Sequence, residues 1–338
     1  MTIVGAFDIH RTQNTGEVLN IETGELTRFR IGGTRADLAV FLDQFPSGSD
    51  VRFAFEGCTG WRYVAEEVQA RGFVALMAEP ADTAMLKSRK KRAKTDRADA
   101  AHLRMLAVED AIPESWIPPG FVTDARVIGR LYRSLGSTRK TWMQRVHAQL
   151  FQQGAPGVNL TAADRRQQLA AVDLSPAGRI LVDEAMGMVE HCEQRIAVVG
   201  GHLRELGRTY PGPVALQQLW GVGSLLGTVI WAELGDTRRF ASSKQAVRFT
   251  GLDITVHDSD SRRRPGVLAR QGSPVLRWAL VEAAQHASKL ASPDHDYYQQ
   301  VRDRQGASRA ALSVARKITR RSHHILRDLG DDAWQPIT

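Results

Sequence analysis

The sequence predicts an α/β domain followed by a mainly helical remainder, and two observations support this division. Over residues 1–118, short apolar runs with strand periodicity alternate with helical patterns, whereas from residue 123 onward the apolar spacing is helical. Pro113, Pro118 and Pro119 mark the change between the two patterns. We therefore expect three regions, at residues 1–120, 121–210 and 211–338.

The N-terminal elements follow from the local pattern of apolar and turn-forming residues. Three strands in a meander are predicted first, at residues 3–9, 18–19 and 26–31. A helix, a strand, a second helix and a second strand then follow, at residues 35–45, 51–56, 61–71 and 73–78. This alternation of strands and helices is typical of an α/β domain.

Two long helices with apolar stripes are predicted in the central region. The first covers residues 123–153, and its stripe is Ile128, Leu131, Leu135, Thr138 and Trp142. The second covers residues 176–207, and its stripe is Leu181, Ala185, Met188, Cys192, Ile196, Val199, Leu203 and Leu206. Both an antiparallel hairpin buried within the chain and a coiled coil with another protomer suit these stripes. A helical C-terminal region begins near Pro211.

Composition narrows the class of protein. The chain has 45 lysines and arginines against 37 acidic residues, a net charge of +8, which favours a polyanionic partner. Its two cysteines are too few for a disulfide framework or a cysteine zinc site, which fits a reducing cytoplasm. Membrane-spanning apolar runs, a signal-peptide pattern and a phosphate-binding glycine loop are not found in the sequence.

Four acidic residues are spaced for metal-dependent chemistry. Asp8 and Glu56 each end a predicted strand, and Asp96 and Asp99 share the first turn of a helix that Thr95 would cap. Each acid taken singly also suits a cap or a turn. Together they could hold two magnesium ions about 4 Å apart, the arrangement that supports phosphoryl transfer.

A dense basic run precedes the last two acids, and we expect it to contact nucleic-acid phosphates. It comprises Lys87, Arg89, Lys90, Lys91, Arg92 and Lys94. The arginines within residues 126–145 are further candidates. Binding through such residues should depend strongly on salt concentration.

The C-terminal region contains two further candidate segments. Gly221 and Gly223 open a predicted helix and could grip a nucleic-acid backbone through exposed N–H groups, although an ordinary helix start explains them equally well. A later polar segment could hold phosphate through five arginines, Arg262, Arg263, Arg264, Arg270 and Arg277. On its own chemistry this segment also reads as a surface loop.

Three segments carry a resemblance to a known family. They are Val-Gly-Ala-Phe-Asp-Ile-His at residues 4–10, Phe-Glu-Gly-Cys-Thr-Gly-Trp at 55–61 and Ala-Lys-Thr-Asp-Arg-Ala-Asp-Ala at 93–100. The chain resembles the insertion-sequence-110 family of transposases, which are DEDD recombinases with a RuvC-like domain. The resemblance implies a mixed-sheet, RNase H-like domain whose metal-binding acids are Asp8, Glu56, Asp96 and Asp99.

The resemblance also implies a nucleophilic serine seven residues before Gly266, which selects Ser259. Ser261 stays as a rival, because Asp260 follows Ser259 where the family usually has glycine. The implied activity is DNA transposition or site-specific recombination through a phosphoserine intermediate, with one or two Mg²⁺ ions. The resemblance further implies a composite site in which Ser259 meets the acids, either within one protomer or between different protomers.

The implied partners are DNA at the element ends and target, a structured guide RNA, and further copies of the chain in a dimer or tetramer. The implied location is the bacterial cytoplasm, associated with the nucleoid. Two alternatives remain open at this stage, a RuvC-type junction nuclease that needs no serine and a non-catalytic nucleic-acid-binding protein.

Overall fold

The computed structural model describes residues 1–46, 48–86, 96–254, 258–259, 262–263, 266 and 268–337. The chain divides into two compact units, Met1–Ile117 and Pro118–Thr338. The second unit spans both the predicted hairpin region and the predicted C-terminal region. Within the described residues, no helix combines the length and the apolar character that a membrane crossing requires.

The first unit contains one mixed five-stranded sheet. Its strands are β1 (Thr2–Ile9), β2 (Gln13–Asn20), β3 (Leu26–Gly32), β4 (Asp50–Glu56) and β5 (Val74–Ala78). Its helices are α1 (Arg35–Leu42), α2 (Trp61–Ala70), α3 (Pro80–Leu86) and α4 (Asp96–Val108). The spatial order of the strands is β3-β2-β1-β4-β5. The first three strands form an antiparallel meander, and β4 and β5 run parallel to β1, so the predicted α/β arrangement is confirmed.

Side chains of very different size cover the two faces of this sheet. One face is aromatic, with Phe7, Phe53 and Phe55 fully buried in a cluster that also contains residues of α1 and α2. The other face is formed by small residues, Val4, Ala6, Ala54 and Ala78, which pack against Leu103 and Ala107 of α4. Small side chains allow the backbone of α4 to lie close to the strands.

Strand β2 is much longer than the predicted segment 18–19. Its first half, Gln-Asn-Thr-Gly, has little apolar character, yet Asn14 is fully buried. The Asn14 amide donates to the Tyr63 hydroxyl at 2.9 Å, and the hydroxyl donates back to Asn14 Oδ1 at 3.1 Å. A buried polar residue whose hydrogen bonds are satisfied is compatible with strand pairing. A prediction based on alternating apolar residues therefore misses this part of β2.

The second unit is mainly helical. Its helices are α5 (Gly120–Gln152), α6 (Arg165–Ala170), α7 (Pro176–Thr209), α8 (Pro211–Leu216), α9 (Ser224–Leu234), α10 (Ser243–Thr250), α11 (Pro274–Gln285), α12 (His295–Gln305) and α13 (Ala307–Leu329). A two-stranded ribbon pairs β6 (Asp258–Ser259) with β7 (Arg262–Arg263). The two predicted long helices are thus confirmed as α5 and α7.

Helices α5 and α7 form an antiparallel hairpin within the chain. Near one end Leu150 and Val182 share an apolar cluster, and in the middle Arg139 Nη1 lies 3.6 Å from Glu193 Oε1. Near the other end Tyr132 lies against Gly200. The face of α7 that contacts α5 therefore coincides with only part of the predicted stripe.

The predicted stripe of α7 is accordingly split between core and surface. Ala185, Cys192, Val199 and Leu203 are buried, whereas Leu181 and Met188 are exposed. On α5 the predicted stripe residue Leu131 is 48% exposed. Oligomerisation through the exposed residues stays a prediction.

A fully buried tryptophan lies at the centre of the second unit. Trp231 of α9 stacks on Tyr210 with ring centroids 5.1 Å apart and on Trp334 at 5.1 Å. Helices α5, α7, α8 and α11 all contact α9, whose residues from Gly227 to Leu234 are buried. This helix therefore joins the hairpin to the C-terminal helices within one core.

The hairpin geometry makes a testable distinction between two leucines of the predicted stripes. Leu203→Ala should lower the free energy of unfolding by about 2–5 kcal/mol because it leaves a cavity in the core. Leu131→Ala should change it by no more than about 0.5 kcal/mol, because its side chain is half exposed. Thermal unfolding followed by circular dichroism checks both. An equal loss at Leu131, with a smaller mass by light scattering, would place that residue in an interface between protomers instead.

Candidate functional site

The carboxyl ends of β1 and β4 bring two of the predicted acids side by side. Phe7 pairs with Phe55 in the parallel ladder, and Asp8 and Glu56 are the next residues along their strands. Neighbouring strands lie about 4.8 Å apart. Both acids are partly buried and share the face of Ala6 and Ala54, which is the face that α4 covers.

Helix α4 begins above this edge of the sheet and supplies the other two acids. The described part of the helix starts at Asp96, which lies with Asp99 in its first turn, where acidic side chains complement the helix dipole. The predicted cap Thr95 lies outside the described residues. Farther along the helix Arg104 Nε lies 3.3 Å from Glu17 Oε2 of β2, which fixes the helix over the sheet.

Asp8 and Asp96 converge on His10. The Nε2 atom of His10 lies 3.2 Å from Asp8 Oδ2 and 3.4 Å from Asp96 Oδ2. One ligand atom from each of these three residues lies within 4.8 Å of the others. The Asp8 side chain is 23% exposed, whereas His10 and Asp96 are 45% and 50% exposed, so the cluster opens to solvent.

Burial raises the pKa of the Asp8 carboxyl above its ordinary value, and His10 partly opposes this effect by its charge and hydrogen bond. Asp96 and Asp99 raise the pKa of Asp8 further through charge repulsion, which means that both acids of α4 lie within electrostatic reach of β1. The site therefore concentrates negative charge that a cation would neutralise.

His10 is the residue of this cluster that the sequence pattern did not single out. It follows Asp8 by two positions, so in an extended chain the two side chains point to the same side. Alternation of side chains along a strand places Val4, Ala6 and Asp8 on one face, and continuing this pattern by one step includes His10. Its position just after β1 explains how it reaches both carboxylates.

The donor set fits a divalent cation. Two carboxylates are the ligands that Mg²⁺ prefers, and Glu56 lies on the adjacent strand to extend the oxygen donors. An imidazole suits iron, nickel, copper or zinc better than Mg²⁺ or Mn²⁺. The residues present therefore fit a metal held by Asp8 and Asp96, with His10 either as a further ligand or as a hydrogen-bonding partner of the two carboxylates.

The predicted serine lies in the second unit, in a part of the chain that is described only as backbone. Ser259 ends β6 and pairs with Arg262 at the start of β7, so the serine and the first arginines form a tight ribbon. Several other predicted residues lie outside the described residues, namely Lys87, Arg89, Lys90, Lys91, Arg92, Lys94, Ser261 and Arg264.

Two of the predicted phosphate-contacting arginines border the segment that follows the ribbon. Arg270 is exposed and has a left-handed backbone, with φ of 54°. The Nη1 atom of Arg277 donates to the carbonyl oxygens of Thr250, Gln271 and Gly272 at 2.8–3.2 Å. Desolvation, followed by the charge of Arg270, lowers the pKa of Arg277. Arg277 therefore fixes the fold of this segment through backbone carbonyls.

The two glycines before α9 have different surroundings. Gly221 has φ of 83° and lies so close to the Ala283 carbonyl oxygen of α11 that a Cβ atom would overlap it. Gly223 is exposed and is the N-cap of α9, with no side-chain cap. Gly221 is thus explained by close packing, whereas the backbone around Gly223 is open to solvent.

The raised pKa of Asp8 predicts a cost in stability that a metal ion would remove. At neutral pH the folded protein holds a carboxylate that is more easily ionised in the unfolded chain, so Asp8→Asn should raise the Tm of the protein in EDTA. The gain should shrink as the pH falls through the raised pKa and should vanish well below about 3.9, where the carboxyl is protonated in both the folded and the unfolded state. Thermal unfolding over a pH series measures it.

Added Mg²⁺ or Mn²⁺ should stabilise the native chain, by about 2.7 kcal/mol at 100 times Kd, and should leave Asp8→Asn unchanged. Asp82→Asn is the matched control, because Asp82 is an exposed acid in the first turn of α3. Equal stabilisation of Asp8→Asn and the native chain by the metal would contradict the assignment.

Comparison with known proteins finds similarity to a transposase family in the second unit and to proteins named as transposases over much of the chain. Residues 214–299 match the model of the transposase IS116/IS110/IS902 family. The chain is 26% identical over 247 residues to a protein of Sinorhizobium fredii that bears the transposase name y4rJ, covering 66% of this chain and 62% of that protein. The chain thus spans 62% of the length of this relative.

Two other relatives bear transposase names. A Pseudomonas aeruginosa protein named as a family 20 transposase is 22% identical over 306 residues, covering 85% of this chain and 86% of its own length. The transposase for insertion sequence element IS1111A of Coxiella burnetii is 26% identical over 106 residues, covering 30% of this chain and 29% of its own length. Residues 214–299 are therefore similar to the IS116/IS110/IS902 transposase family, and similarity to proteins named as transposases extends over most of the chain.

Proposed function

We propose that the chain is a DNA transposase that cuts and rejoins DNA through a serine–DNA intermediate. The observation that supports this most directly is the convergence of Asp8 and Asp96 at one edge of the sheet, in a chain whose residues 214–299 match a transposase family. Clustered acids can bind a divalent cation, and the family match indicates DNA as the substrate. Together these two observations favour metal-assisted phosphoryl transfer on DNA. The mixed sheet also supports an RNase H-like assignment of the first unit.

In the proposed reaction Asp8, Glu56, Asp96 and Asp99 would hold one or two Mg²⁺ ions. A bound ion would polarise the phosphate and stabilise the leaving oxygen. The Ser259 hydroxyl gives up its proton and forms an Oγ–P bond, while the bond between phosphorus and one deoxyribose oxygen breaks and that oxygen takes up a proton to leave as a hydroxyl group. A hydroxyl group of a second DNA strand then attacks the same phosphorus, which restores the serine. Each phosphodiester that is broken is replaced by another, so the exchange needs no ATP.

Partners beyond DNA are proposed from the family resemblance. These are a structured guide RNA and further copies of the chain, because recombination joins two duplexes and needs at least two copies of the chemistry. The net charge of +8 supports a polyanionic partner, which both DNA and RNA are. The predicted basic contacts at residues 87–94 and in the arginine-rich segment after Ser259 fit such a partner by charge.

Removal of one metal-binding acid should abolish strand cleavage and leave nucleic-acid binding largely intact. Asp96→Asn keeps the shape of the side chain but loses its charge, so we expect cleavage of DNA spanning the element junction to fall below detection. Binding measured by fluorescence anisotropy in EDTA should stay close to that of the native chain. Asp82→Asn, an exposed first-turn acid of α3, should cleave normally. Full cleavage by Asp96→Asn would contradict the role of the acids.

The serine variants separate a recombinase from a hydrolytic nuclease. Ser259→Ala should lose both the covalent protein–DNA adduct, seen on a denaturing gel, and recombination, because the nucleophile is gone. Ser261→Ala should keep both. If Ser261→Ala alone is inactive, the nucleophile is Ser261. If Ser259→Ala still cuts DNA and neither serine forms an adduct, the enzyme uses a metal-bound water and is a nuclease of the RuvC type.

A further inference from the structure

An open groove lies beside the acid cluster on the α4 side of the first unit's sheet. Asp96 belongs both to the cluster and to the lining of this groove. The lining residues are Gln13, Thr15, Gly16, Arg28, Phe29, Arg30, Asp96 and Arg97. The groove therefore leads directly to the position where the acids converge.

Strand register explains why basic side chains line a groove next to acids. Thr15 of β2 pairs with Asp8 of β1 on one side and with Arg30 of β3 on the other. Directly paired residues on neighbouring strands point to the same face of a sheet, so Arg30 lies on the face of Asp8. The two Cα atoms are separated by two interstrand spacings, about 10 Å.

The groove carries positive charge that acidic residues of the described chain only partly neutralise. Arg28 lies 3.0 Å from Glu17, which is 2% exposed and also contacts Arg104 at 3.3 Å. Arg30 Nε donates to the neutral Gln13 Oε1 at 2.6 Å, and Arg97 is exposed at the start of α4. Within the part of the chain that the structure describes, no salt bridge is found for Arg30 or Arg97.

We propose that this groove, defined by Gln13, Thr15, Arg30 and Arg97, holds the sugar–phosphate backbone of the DNA strand that is cut. The inference rests on the proposed function and specifies where its substrate lies in the first unit. With one phosphate at Asp8 and Asp96, Arg30 lies two strands across the sheet from Asp8 and binds a neighbouring phosphate. Arg97 directly follows Asp96 in the sequence and binds the phosphate next to the acid cluster, at the start of α4.

The chemistry of the groove favours backbone contacts over base reading. Guanidinium groups bind phosphate oxygens through paired N–H donors, and Gln13 orients one of them by accepting a hydrogen bond. The groove is open to solvent and is lined by residues of β2, β3 and the start of α4, so it can accept an extended strand. Contacts of this kind position a strand without specifying its sequence.

Salt dependence of DNA binding tests the proposal locally. Removal of one phosphate-binding arginine should reduce the slope of log K against log salt concentration by about 0.7 for single-stranded DNA. Arg30→Gln and Arg97→Gln should each show this reduction, and the double variant about twice as much, with a fluorescein-labelled single-stranded oligonucleotide in EDTA. The full-length chain is used throughout, and an unchanged Tm confirms folding.

Arg52→Gln is the matched control. It removes the same charge from the same face of the sheet, but Arg52 lies near the opposite end of β4 and pairs with Asp50 at 3.0 Å. Its slope should equal that of the native chain. Equal slopes for all variants, or an equal reduction in the control, would overturn the proposal.

A reduction seen with a structured RNA but absent with DNA would also overturn it and would assign the groove to RNA. Failure of the groove is separable from failure of the proposed function. The binding assay of the arginine variants in EDTA needs no catalysis, whereas the proposed function is tested by the cleavage assay of Asp96→Asn and the adduct assay of Ser259→Ala.

Discussion

The close packing of α4 on the small-residue face of the sheet is the constraint on which the candidate site depends. Ala6 and Ala54 leave space for Leu103 and Ala107, so the helix packs on β1 and also contacts β2 and β4 on either side of it. Its N-terminus then falls at the carboxyl ends of β1 and β4. A larger residue at either alanine would lift the helix and move Asp96 away from Asp8.

Aromatic packing on the opposite face of the same sheet holds the strands in place, although acidic side chains cluster at their ends. Phe7, Phe53 and Phe55 are fully buried among the rings of the aromatic cluster, with Phe7 and Phe53 centroids 4.9 Å apart. These rings alternate along the strands with the small residues, so each strand contributes to the core on one face and to the site on the other. Burial of the Asp8 carboxylate lowers the stability of the fold, and the aromatic packing on the other face of the same strand offsets this loss.

Different physical devices build the two units. The first places polar groups at the ends of strands, where backbone register fixes their separation. The second encloses a buried tryptophan in helices, and its predicted serine lies on a two-residue ribbon whose neighbouring segment is fixed by Arg277. Residues 214–299 of the second unit carry the family match, while the geometry of the acids supports the function of the first unit.

The sequence by itself determined the order and type of the elements, because apolar periodicity of two and of 3.6 residues reflects which face of each element is buried. It also predicted that Asp8, Glu56, Asp96 and Asp99 lie together, because two of them end predicted strands and two share the first turn of a predicted helix. Tertiary structure alone decided the length of β2, where the buried Asn14 is held by Tyr63. It also decided which residues of α7 face α5, because rotation of a helix about its axis depends on its partner.

Only the folded chain brought His10 and Arg30 to the site. Arg30 reaches the face of Asp8 through pairing across two strands, and this pairing depends on hairpin register between residues distant in sequence. His10 contacts Asp96 through the packing of α4, which no local pattern encodes. Local periodicity records burial, whereas convergence of charged groups depends on how buried faces are matched, and that matching is a property of the tertiary structure.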